Sequence, residues 1–396
     1  MARRITVIGG GASGLVAAVM AARGGAEVTV LEHKDRVGKK ILMTGNGRCN
    51  LTNVSGFYGK YFSSDEISLK KIYNALERFG ADDTVKFFKD IGVFTKEKRD
   101  GGIYPVSEQA SCVLDAIRSE CAQLGVKIIT NADVSNLRSV RGDRLILAAG
   151  GKAAPSTGSD GSGYALAKGL GHSIVTPLPA LVQLRCEGDF FKSVAGVRAQ
   201  AGITLYIDGK KAACEEGELQ LTDYGISGIP VFQFSRLAAR ALHEKKKCEV
   251  EINFMTQVSE KDLGGPLEER YGGKTVEALL GGMVHKKIAS LICRRHKLDS
   301  RQTVSDAGEK RVRKYIDELR HFRVKITSAN SFDNAQVCSG GVPLGEVSDC
   351  FRSLKAPNVY IVGELLDCDG ICGGYNLQWA WTTGVIAGRN AANDND

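Results

Sequence analysis

The first thirty-two residues constrain the fold of this chain more than any other stretch. The run of residues 4–8 is rich in apolar, β-branched side chains, which predicts a buried parallel strand. The loop that follows has the G-x-G-x-x-G spacing, with its glycines at Gly9, Gly11 and Gly14. An alanine-rich helix is predicted for residues 15–23, and residues 28–31 predict a second strand that ends in Glu32. This order of elements is typical of a dinucleotide-binding βαβ unit.

Each part of this unit has a chemical role. One glycine allows the tight turn, one lets the backbone approach a pyrophosphate, and one lets the helix pack on the strand. The pyrophosphate then lies at the helix N-terminus beside Ala12 and Ser13, where free N–H groups favour an anion. Glu32 is placed to accept hydrogen bonds from the ribose hydroxyls, and its charge repels a 2′-phosphate. The predicted ligand is therefore FAD or NAD, and not NADP.

The composition limits the class of protein. At 396 residues the chain allows two or three domains. It shows neither a signal-peptide pattern nor an apolar run of 18 residues, so a cytoplasmic protein that does not span a membrane is expected. Eleven cysteines with scattered spacing and no CxxC pair predict reduced thiols, without a disulfide framework or a metal site.

A second glycine-rich segment, residues 37–53, follows directly after Glu32. Its glycine, asparagine and threonine content predicts a loop. Such a loop could wrap the cofactor and carry Arg48 and Cys49 to the isoalloxazine ring, although an ordinary Asn/Gly turn is the alternative. The candidate cofactor-binding residues in this segment are Lys40, Thr44, Gly47, Arg48, Cys49 and Asn50.

Two further strands are predicted to end at the same ligand. Residues 145–149 lead into Gly150 and Gly151, and residues 359–362 lead into a glycine loop and a helix that reaches residue 389. An acid after the last strand can hold a ribityl chain, and the helix N-terminus can stabilise negative charge near the N1/O2 edge of a flavin, which favours FAD over NAD. Glu364, Asp367 and Asp369 all remain candidates for the ribityl contact. The candidates in this last segment are Gly363, Glu364, Asp367, Gly373, Gly374, Tyr375 and Asn376.

The middle of the chain has a different texture. Residues 182–252 alternate between polar and apolar side chains, which predicts an antiparallel β insert. Residues 256–322 change to helical periodicity, and a strand returns at 324–327. Among the shorter elements, residues 65–90 predict an amphipathic helix, and Ser107 is a plausible cap for a helix that reaches residue 121.

Several blocks resemble the BaiN/YhiN-like flavoprotein family. They are residues 38–53, 104–107, 217–219, 222–228 and 363–388, and they include the motifs GRCN-x-TN and DxDG…GGYN-x-Q. The resemblance spans nearly the whole chain. It implies an α/β protein with a discontinuous, glutathione-reductase-like Rossmann FAD domain at residues 1–190 and 344–396. It also implies a β-barrel insert at 191–255 and 322–343 that carries a helical subdomain at 256–321.

The same resemblance implies FAD-dependent reduction of an activated C=C bond. Family members are associated with bile-acid enone reduction and with dihydrouridine formation in 23S ribosomal RNA, and some carry an amine oxidase label. We expect NAD(P)H to supply the electrons, docking transiently because no second glycine fingerprint is present. The α-carbon of the substrate needs a proton. Cys49 is the first candidate donor because an ordinary thiol pKa allows donation near neutral pH, and the competitors are Tyr104, Tyr224 and Tyr375. A redox role for the Cys368–Cys372 spacing is a weaker alternative.

Positive charge is concentrated in the predicted helical subdomain. Residues 284–325 contain thirteen lysines and arginines against five carboxylates, an excess of eight that equals the net charge of the whole chain. Because phosphate neutralisation supplies most sequence-independent affinity for nucleic acid, this surface favours an RNA substrate. The residues predicted to contact it are Arg294, Arg295, Arg311 and Arg313. A small-molecule enone with a merely solvated basic surface is the alternative, and a flavin-containing RNA-binding module without activity is a third.

Overall fold

A computed structural model describes residues 2–393. The chain divides into two compact units, Met1–Pro179 with Phe332–Asp396, and Ala180–Ser331. Each unit has its own cluster of buried apolar side chains. The second unit is therefore an insertion with a separate core.

The elements are numbered in chain order. The first segment of the first unit contains β1 Arg4–Ile8, α1 Ala12–Arg23, β2 Glu27–Leu31, α2 Lys39–Met43, β3 Thr52–Asn53, β4 Tyr61–Phe62, α3 Glu66–Arg78, α4 Ala81–Asp90, β5 Thr95–Glu97, β6 Gly102–Pro105, α5 Ala110–Gln123, β7 Lys127–Ile129, β8 Arg144–Leu147, α6 Ser162–Gly169 and β9 Val175–Ala180. The insertion contains β10 Leu184–Cys186, α7 Phe191–Val194, β11 Arg198–Ile207, β12 Lys210–Leu221, β13 Gly225–Ser227, α8 Ile229–His243, β14 Cys248–Asn253, α9 Leu267–Tyr271, α10 Val276–Gly281, α11 Lys286–Arg295, α12 Val304–Ala307, α13 Glu309–Arg320 and β15 Phe322–Ala329. The last segment contains β16 Val337–Gly341, β17 Val359–Ile361, β18 Asp369–Gly370 and α14 Tyr375–Asn393.

A five-stranded parallel sheet organises the first unit, in the order β17-β8-β1-β2-β7. Four of the five residues of β1 are buried, as expected for a strand covered on both faces. Helices α1 and α14 pack closely against each other through small residues. A Cβ on Gly384 would lie 2.5 Å from the Ser13 carbonyl oxygen, and one on Gly388 would collide with the Ala17 carbonyl oxygen. These glycines therefore let the last helix of the chain approach the first one.

The insertion is built on a closed six-stranded barrel in the order β10-β13-β12-β11-β14-β15. Burial alternates along β15, as expected for a strand with one face in a barrel core. Helices α9 to α13 contribute to the same buried cluster as the barrel strands. The sequence prediction of β structure across residues 182–252 is wrong for residues 229–243, which form the helix α8.

The chain passes from one unit to the other between residues 179 and 180 and between residues 331 and 332, and these positions differ slightly from the predicted domain limits. β10 lies before residue 191, but it pairs with both β13 and β15 inside the barrel. β16 lies before residue 344 and pairs with β9 of the first unit. Strand pairing therefore draws residues 180–190 into the insertion and residues 332–343 into the first unit.

Three short segments differ from the structure that the sequence predicts. Residues 37–53 are not a plain loop, because α2 and a 3-10 turn at Thr44–Gly47 lie within them. The predicted helix at 65–90 is two helices, α3 and α4, separated at Gly80. Ser107 does not cap α5, which begins after Gln109; the Ser107 hydroxyl instead lies 2.9 Å from the Cys112 sulfur.

Within residues 2–393, no helix is both long and apolar enough to cross a bilayer. The described part of the chain also shows no group of three or more His, Cys, Asp or Glu residues that could hold a metal ion.

Candidate flavin site

The three glycines of the first loop have different surroundings. Gly9 has φ +105°, and a Cβ there would collide with the Ala148 carbonyl oxygen of the neighbouring strand. A Cβ on Gly14 would collide with the Gly9 carbonyl oxygen. A Cβ on Gly11, by contrast, would meet nothing within 4 Å. Gly9 and Gly14 are therefore required for backbone packing, whereas Gly11 borders open space at the start of α1, where a pyrophosphate would approach.

Glu32 is fixed beside this open space. The residue is buried, its Oε2 accepts a hydrogen bond from the Gly10 N–H at 2.8 Å, and its Oε1 accepts one from the Lys34 N–H at 2.8 Å. The bond to Gly10 ties the carboxylate to the glycine loop. His33 lies against it, with Nδ1 3.5 Å from Glu32 Oε1, while its buried Nε2 has no hydrogen-bond partner among residues 2–393. No sequence motif singles out His33.

Ala12 and Ser13 both belong to the first turn of α1. Ser13 is buried, and a Cβ on Gly363 would lie only 2.5 Å from the Ser13 hydroxyl oxygen. Gly363 has φ +71° and donates its N–H to the Thr383 hydroxyl at 2.9 Å. The glycine after β17 is therefore needed for the loop to pass close to the start of α1.

Glu364 forms an ion pair that joins distant parts of the first unit. Lys40 Nζ donates to Glu364 Oε2 at 2.6 Å and to the Ala153 carbonyl at 3.1 Å. The Cys338 N–H donates to Glu364 Oε1 at 2.8 Å. A Cβ on Gly151 would lie 3.2 Å from the Glu364 carboxyl carbon, so the glycine after β8 leaves room for this carboxylate. The structure thus brings together three predicted cofactor residues, Lys40, Gly151 and Glu364.

Other residues near this ion pair shape its surroundings. The neighbouring Gly150 has φ +73°, and a Cβ there would lie 2.9 Å from the Ser159 hydroxyl. The Tyr164 hydroxyl lies 3.2 Å from the position of a Cβ on Gly151. Burial, together with the nearby Cys338 thiol and Glu364 carboxylate, raises the pKa of Tyr164. Neither Ser159 nor Tyr164 carries a motif that could identify it from sequence.

The three acids proposed for the ribityl contact differ in accessibility. Asp367 is 1% exposed, and its Oδ2 accepts hydrogen bonds from the Ser63 hydroxyl at 3.0 Å and the Ser64 N–H at 2.9 Å. Asp369 is also 1% exposed and lies in β18, paired with β4. The Glu364 side chain retains 19% exposure. Among the three, Glu364 is therefore the acid that a ligand can reach with the least rearrangement.

The N-terminus of α14 is packed against the loop that contains the GRCN motif. Gly373 and Gly374 have φ +125° and +100°. A Cβ on Gly374 would lie 2.7 Å from the Thr52 carbonyl oxygen and 2.9 Å from Asn50 Oδ1. Asn376 closes the preceding turn, since its amide accepts from the Gly370 N–H and donates to the Gly370 carbonyl, both at 2.8 Å.

Asn50 is left with an unused acceptor at this helix N-terminus. Its Oδ1 is buried, and no described residue donates a hydrogen bond to it. A buried polar atom without a partner is costly, so such atoms in native proteins usually contact a ligand or water. The open space at Gly11, the buried Glu32 and the unpaired Asn50 oxygen together fit a dinucleotide with a flavin ring.

A buried hydrogen-bond network around Gln378 fixes α14 against neighbouring segments of the first unit. Gln378 Oε1 accepts from the Thr52 hydroxyl at 2.5 Å and the Thr84 hydroxyl at 2.9 Å. Its Nε2 donates to the Phe79 carbonyl at 3.1 Å and the Thr382 hydroxyl at 2.9 Å. The glutamine of the GGYN-x-Q motif therefore has a structural role, linking α14 to β3 and to the α3–α4 connection.

The three candidate proton donors in the first unit have different environments. Cys49 is fully buried, and burial raises the pKa of its thiol to about 12. The premise of an ordinary thiol pKa, which made Cys49 the first candidate, is therefore wrong. Tyr375 is buried with its ring edge against Tyr61, and burial raises its pKa. Tyr104 is half-buried, and burial raises its pKa too.

The remaining predicted residues of this loop are more exposed. Thr44 donates its hydroxyl to the Ile41 carbonyl at 2.6 Å and thereby ends α2. Gly47 is exposed and has φ +79°. Arg48 is also exposed, and its Nε donates to the Gly45 carbonyl at 3.3 Å.

Cys368 and Cys372 flank the short strand β18. Cys368 is buried, and burial raises the pKa of the Cys372 thiol to about 12. A reactive dithiol needs a thiolate, which such a pKa disfavours near neutral pH.

Tyr224, the fourth candidate donor, lies in the insertion. Its hydroxyl accepts a hydrogen bond from Asn330 Nδ2 at 3.0 Å, and the Arg185 guanidinium lies 4.5 Å from its ring centroid. Arg185 also donates to Asn330 Oδ1 at 2.9 Å. These three side chains hold one another in place within the second unit.

A family model described as the HI0933-like protein Rossmann domain matches residues 3–390. The chain belongs to this HI0933-like family. It is 44% identical to the 3-dehydro-bile acid delta(4,6)-reductase of Clostridium scindens, over 98% of this chain and 99% of that protein. It is 27% identical to the ribosomal RNA dihydrouridine synthase of Haemophilus influenzae and 26% identical to that of Escherichia coli, in each case over 95% of both chains.

Membership of the HI0933-like family confirms the predicted resemblance, the fold class and the cofactor FAD. The protein is an FAD-dependent oxidoreductase with a Rossmann-type FAD-binding domain and an inserted barrel. The electron donor NAD(P)H and the individual site residues stay predictions.

Proposed function

We propose that the protein reduces an activated C=C bond in a small-molecule enone of the 3-oxo-steroid or bile-acid type, with NAD(P)H as electron donor. The observation that carries this proposal is the 44% identity to a bile-acid enone reductase across nearly the full length of both proteins. The relatives named for ribosomal RNA are more distant, at 27% and 26%. The amine oxidase alternative has no comparable support.

The residues that would hold FAD can be named from the contacts described above. In this proposal Gly11 and the first turn of α1 receive the pyrophosphate, and Glu32 accepts from the ribose hydroxyls. Glu364, paired with Lys40, faces the ribityl chain, and the N-terminus of α14 stabilises negative charge at the edge of the ring. When bound and reduced by NAD(P)H, FAD would supply the hydride that adds to the β-carbon of the enone.

The reaction also needs a proton at the α-carbon. We propose that Tyr104 supplies it, because Tyr104 is half-exposed next to the GRCN loop and a substrate can reach it, whereas Cys49 is fully buried. The Tyr104 hydroxyl would lose its proton to the α-carbon as the hydride forms the new C–H bond at the β-carbon, and solvent would then return a proton to the phenolate.

The direct test is a reductase assay with purified holoenzyme. The protein should be yellow, should release FAD and not FMN on denaturation, and should convert a 3-oxo-4-ene steroid acid to a product two hydrogen atoms heavier with NADH or NADPH. A colourless protein that does not bind added FAD, or a holoenzyme that leaves every steroid enone unchanged, would overturn the proposal.

A uridine of 23S ribosomal RNA is the second candidate substrate, and the charge of α11 and α13 favours it. The contacts of three of the four named arginines weaken this argument. Arg295 pairs with Glu318 at 3.1 Å, Arg313 pairs with Glu309 at 2.7 Å, and Arg294 donates to the Ser193 hydroxyl at 2.9 Å. All four side chains are nevertheless exposed and could still meet phosphates. Three of these four arginine side chains are thus already engaged in contacts within the second unit.

The RNA candidate has its own test. It predicts RNA binding that weakens steeply with salt and is lost when Arg294, Arg295, Arg311 and Arg313 are changed to Glu, while FAD stays bound. It also predicts that deletion of the gene removes a dihydrouridine from the large-subunit RNA. An unchanged RNA in the deletion strain would exclude this substrate.

A further inference from the structure

Three cations, Arg48, Lys96 and Lys98, surround a single carboxylate beside the GRCN loop, and we call them the cationic cluster. The Nζ atoms of Lys96 and Lys98 lie 2.6 and 2.9 Å from the Glu108 carboxylate, and Arg48 Nη1 lies 3.8 Å from it. The hydrogen bonds from Lys96 and Lys98 lower the pKa of Glu108 to about 2, so this carboxylate is charged near neutral pH. In the part of the chain that the structure describes, no other carboxylate lies within ion-pair distance of the cluster. The cluster therefore carries two positive charges in excess.

The cationic cluster is open to a ligand. The side chains of Arg48, Lys96 and Lys98 retain 45%, 41% and 30% exposure. Ion pairs between exposed side chains contribute little to stability, so the contacts with Glu108 do not prevent the same cations from binding a second anion. An anion with two negative charges would balance the excess charge of the cluster.

The cationic cluster adjoins the proposed position of the flavin edge. Lys98 Nζ lies 4.6 Å from the Tyr104 ring centroid. A Cβ on Gly102 would lie 3.2 Å from the Tyr104 ring and 3.3 Å from the Asn50 amide nitrogen, and the Asn50 amide in turn lies against Gly374 at the start of α14. Continuous contacts within the first unit therefore connect the cluster to the proposed reaction centre.

A nicotinamide dinucleotide is an anion that must reach this centre. The chain contains a single G-x-G-x-x-G loop, at residues 9–14, and the pyrophosphate of FAD would occupy it. The pyrophosphate of the electron donor therefore has no glycine loop of its own and needs cationic side chains instead. It carries two negative charges, and one ribose separates it from the nicotinamide ring. A dinucleotide whose ring lies on the flavin would thus hold its pyrophosphate a short distance from the flavin edge, where the cluster lies.

We propose that the cationic cluster binds the pyrophosphate of a reduced nicotinamide dinucleotide while its dihydronicotinamide ring reduces the flavin. The inference rests on the proposed function and deepens it, because it assigns a binding site to the electron donor. The reduced dinucleotide gives up a hydride to the flavin and leaves in its oxidised form before the enone binds. Tyr104 is then free to protonate the enone, so the two ligands use the same space in turn.

The test compares three reductants that share the dihydronicotinamide ring and differ in phosphate. NADH has a pyrophosphate, reduced nicotinamide mononucleotide has one phosphate, and 1-benzyl-1,4-dihydronicotinamide has none. Apparent dissociation constants come from the concentration dependence of anaerobic flavin reduction in the holoenzyme. Lys96→Gln/Lys98→Gln should raise the dissociation constant of NADH about 10-fold, in line with the loss of two partly exposed ion pairs. The increase should be smaller for the mononucleotide, and flavin reduction by the benzyl compound should be unchanged.

Two further variants distinguish binding from damage to the fold. Glu108→Gln removes the carboxylate that competes for the cationic cluster, so it should lower the dissociation constant of NADH about 3-fold. A misfolded protein would not bind the donor more tightly. Lys86→Gln/Lys89→Gln is the matched control, because it removes two exposed lysines of α4 in the same unit, and it should leave the values for all three reductants unchanged.

The contrary results are equally distinct. An unchanged dissociation constant of NADH in Lys96→Gln/Lys98→Gln, or an equal loss with NADH and the benzyl compound, would overturn the inference and leave the proposed function intact. A loss confined to NADPH would place a 2′-phosphate at the cluster and would also overturn it. A wild-type flavin that neither NADH nor NADPH reduces would instead refute the proposed electron donor, and this inference with it.

Discussion

Replacing Gly11 and Gly14 by alanine should separate cofactor binding from folding. Gly11 has φ −82°, which alanine adopts without strain, and a Cβ there meets no protein atom within 4 Å. The Gly11→Ala apoprotein should therefore differ from wild type by less than ~1 kcal/mol in its free energy of unfolding. In Gly14→Ala the new methyl group collides with the Gly9 carbonyl oxygen, and the overpacking should destabilise the apoprotein by ~1–3 kcal/mol or more.

FAD affinity should respond differently. If the open space at Gly11 receives the pyrophosphate, the added methyl group of Gly11→Ala intrudes on the ligand. The dissociation constant of FAD should then rise by ~10-fold or more, since a steric cost of ~1.4 kcal/mol corresponds to a tenfold change in that constant. The two measurements are chemical denaturation of the apoprotein and titration of the apoprotein with FAD. A Gly11→Ala protein that binds FAD as tightly as wild type would refute the placement of the pyrophosphate.

The remaining predictions concern the chemistry and the support of the site. Tyr104→Phe should leave flavin reduction intact and slow the oxidative half-reaction with enone at least ~10²-fold, whereas Cys49→Ala should slow it far less; stopped-flow absorbance separates the two steps. A larger loss of rate in Cys49→Ala than in Tyr104→Phe would instead indicate that Cys49 is the proton donor. Glu364→Gln should weaken FAD binding by ~10-fold because it removes the charged partner of Lys40, and unchanged retention in a titration would exclude the ribityl contact. Gln378→Leu should destabilise the protein by ~3 kcal/mol in chemical denaturation because it leaves the buried Thr52 and Thr84 hydroxyls without their acceptor, and a loss below ~1 kcal/mol would contradict the assigned structural role.

The N-terminal βαβ unit could be predicted because its information is local. The strand, the three glycines and Glu32 lie within one short stretch, and each residue type has a physical reason to be there. The pair between Lys40 and Glu364 joins residues 324 positions apart, so no periodicity or spacing could reveal it. Gln378 was visible as a motif residue, but its buried network depends on where β3 and α4 pack.

Burial was the property that sequence reasoning could not supply. Cys49 was favoured for its ordinary thiol pKa, and its complete burial removes that premise. The sequence carries the excess charge of the helical region, but it could not show that Arg295 of α11 pairs with Glu318 of α13, or that Arg313 pairs with Glu309 within α13. Both differences arise because tertiary contacts change the chemistry of a side chain without any trace in its sequence neighbours.

The most direct test of the central claim is a single-turnover experiment. Holoenzyme reduced anaerobically with one equivalent of NADH or NADPH is mixed with a 3-oxo-4-ene steroid acid, while flavin absorbance and product mass are followed. We expect the flavin to reoxidise at a rate that depends on the steroid concentration, with formation of one equivalent of a product two hydrogen atoms heavier. A flavin that stays reduced in the presence of the steroid, and reoxidises with a uridine-containing ribosomal RNA fragment instead, would contradict it.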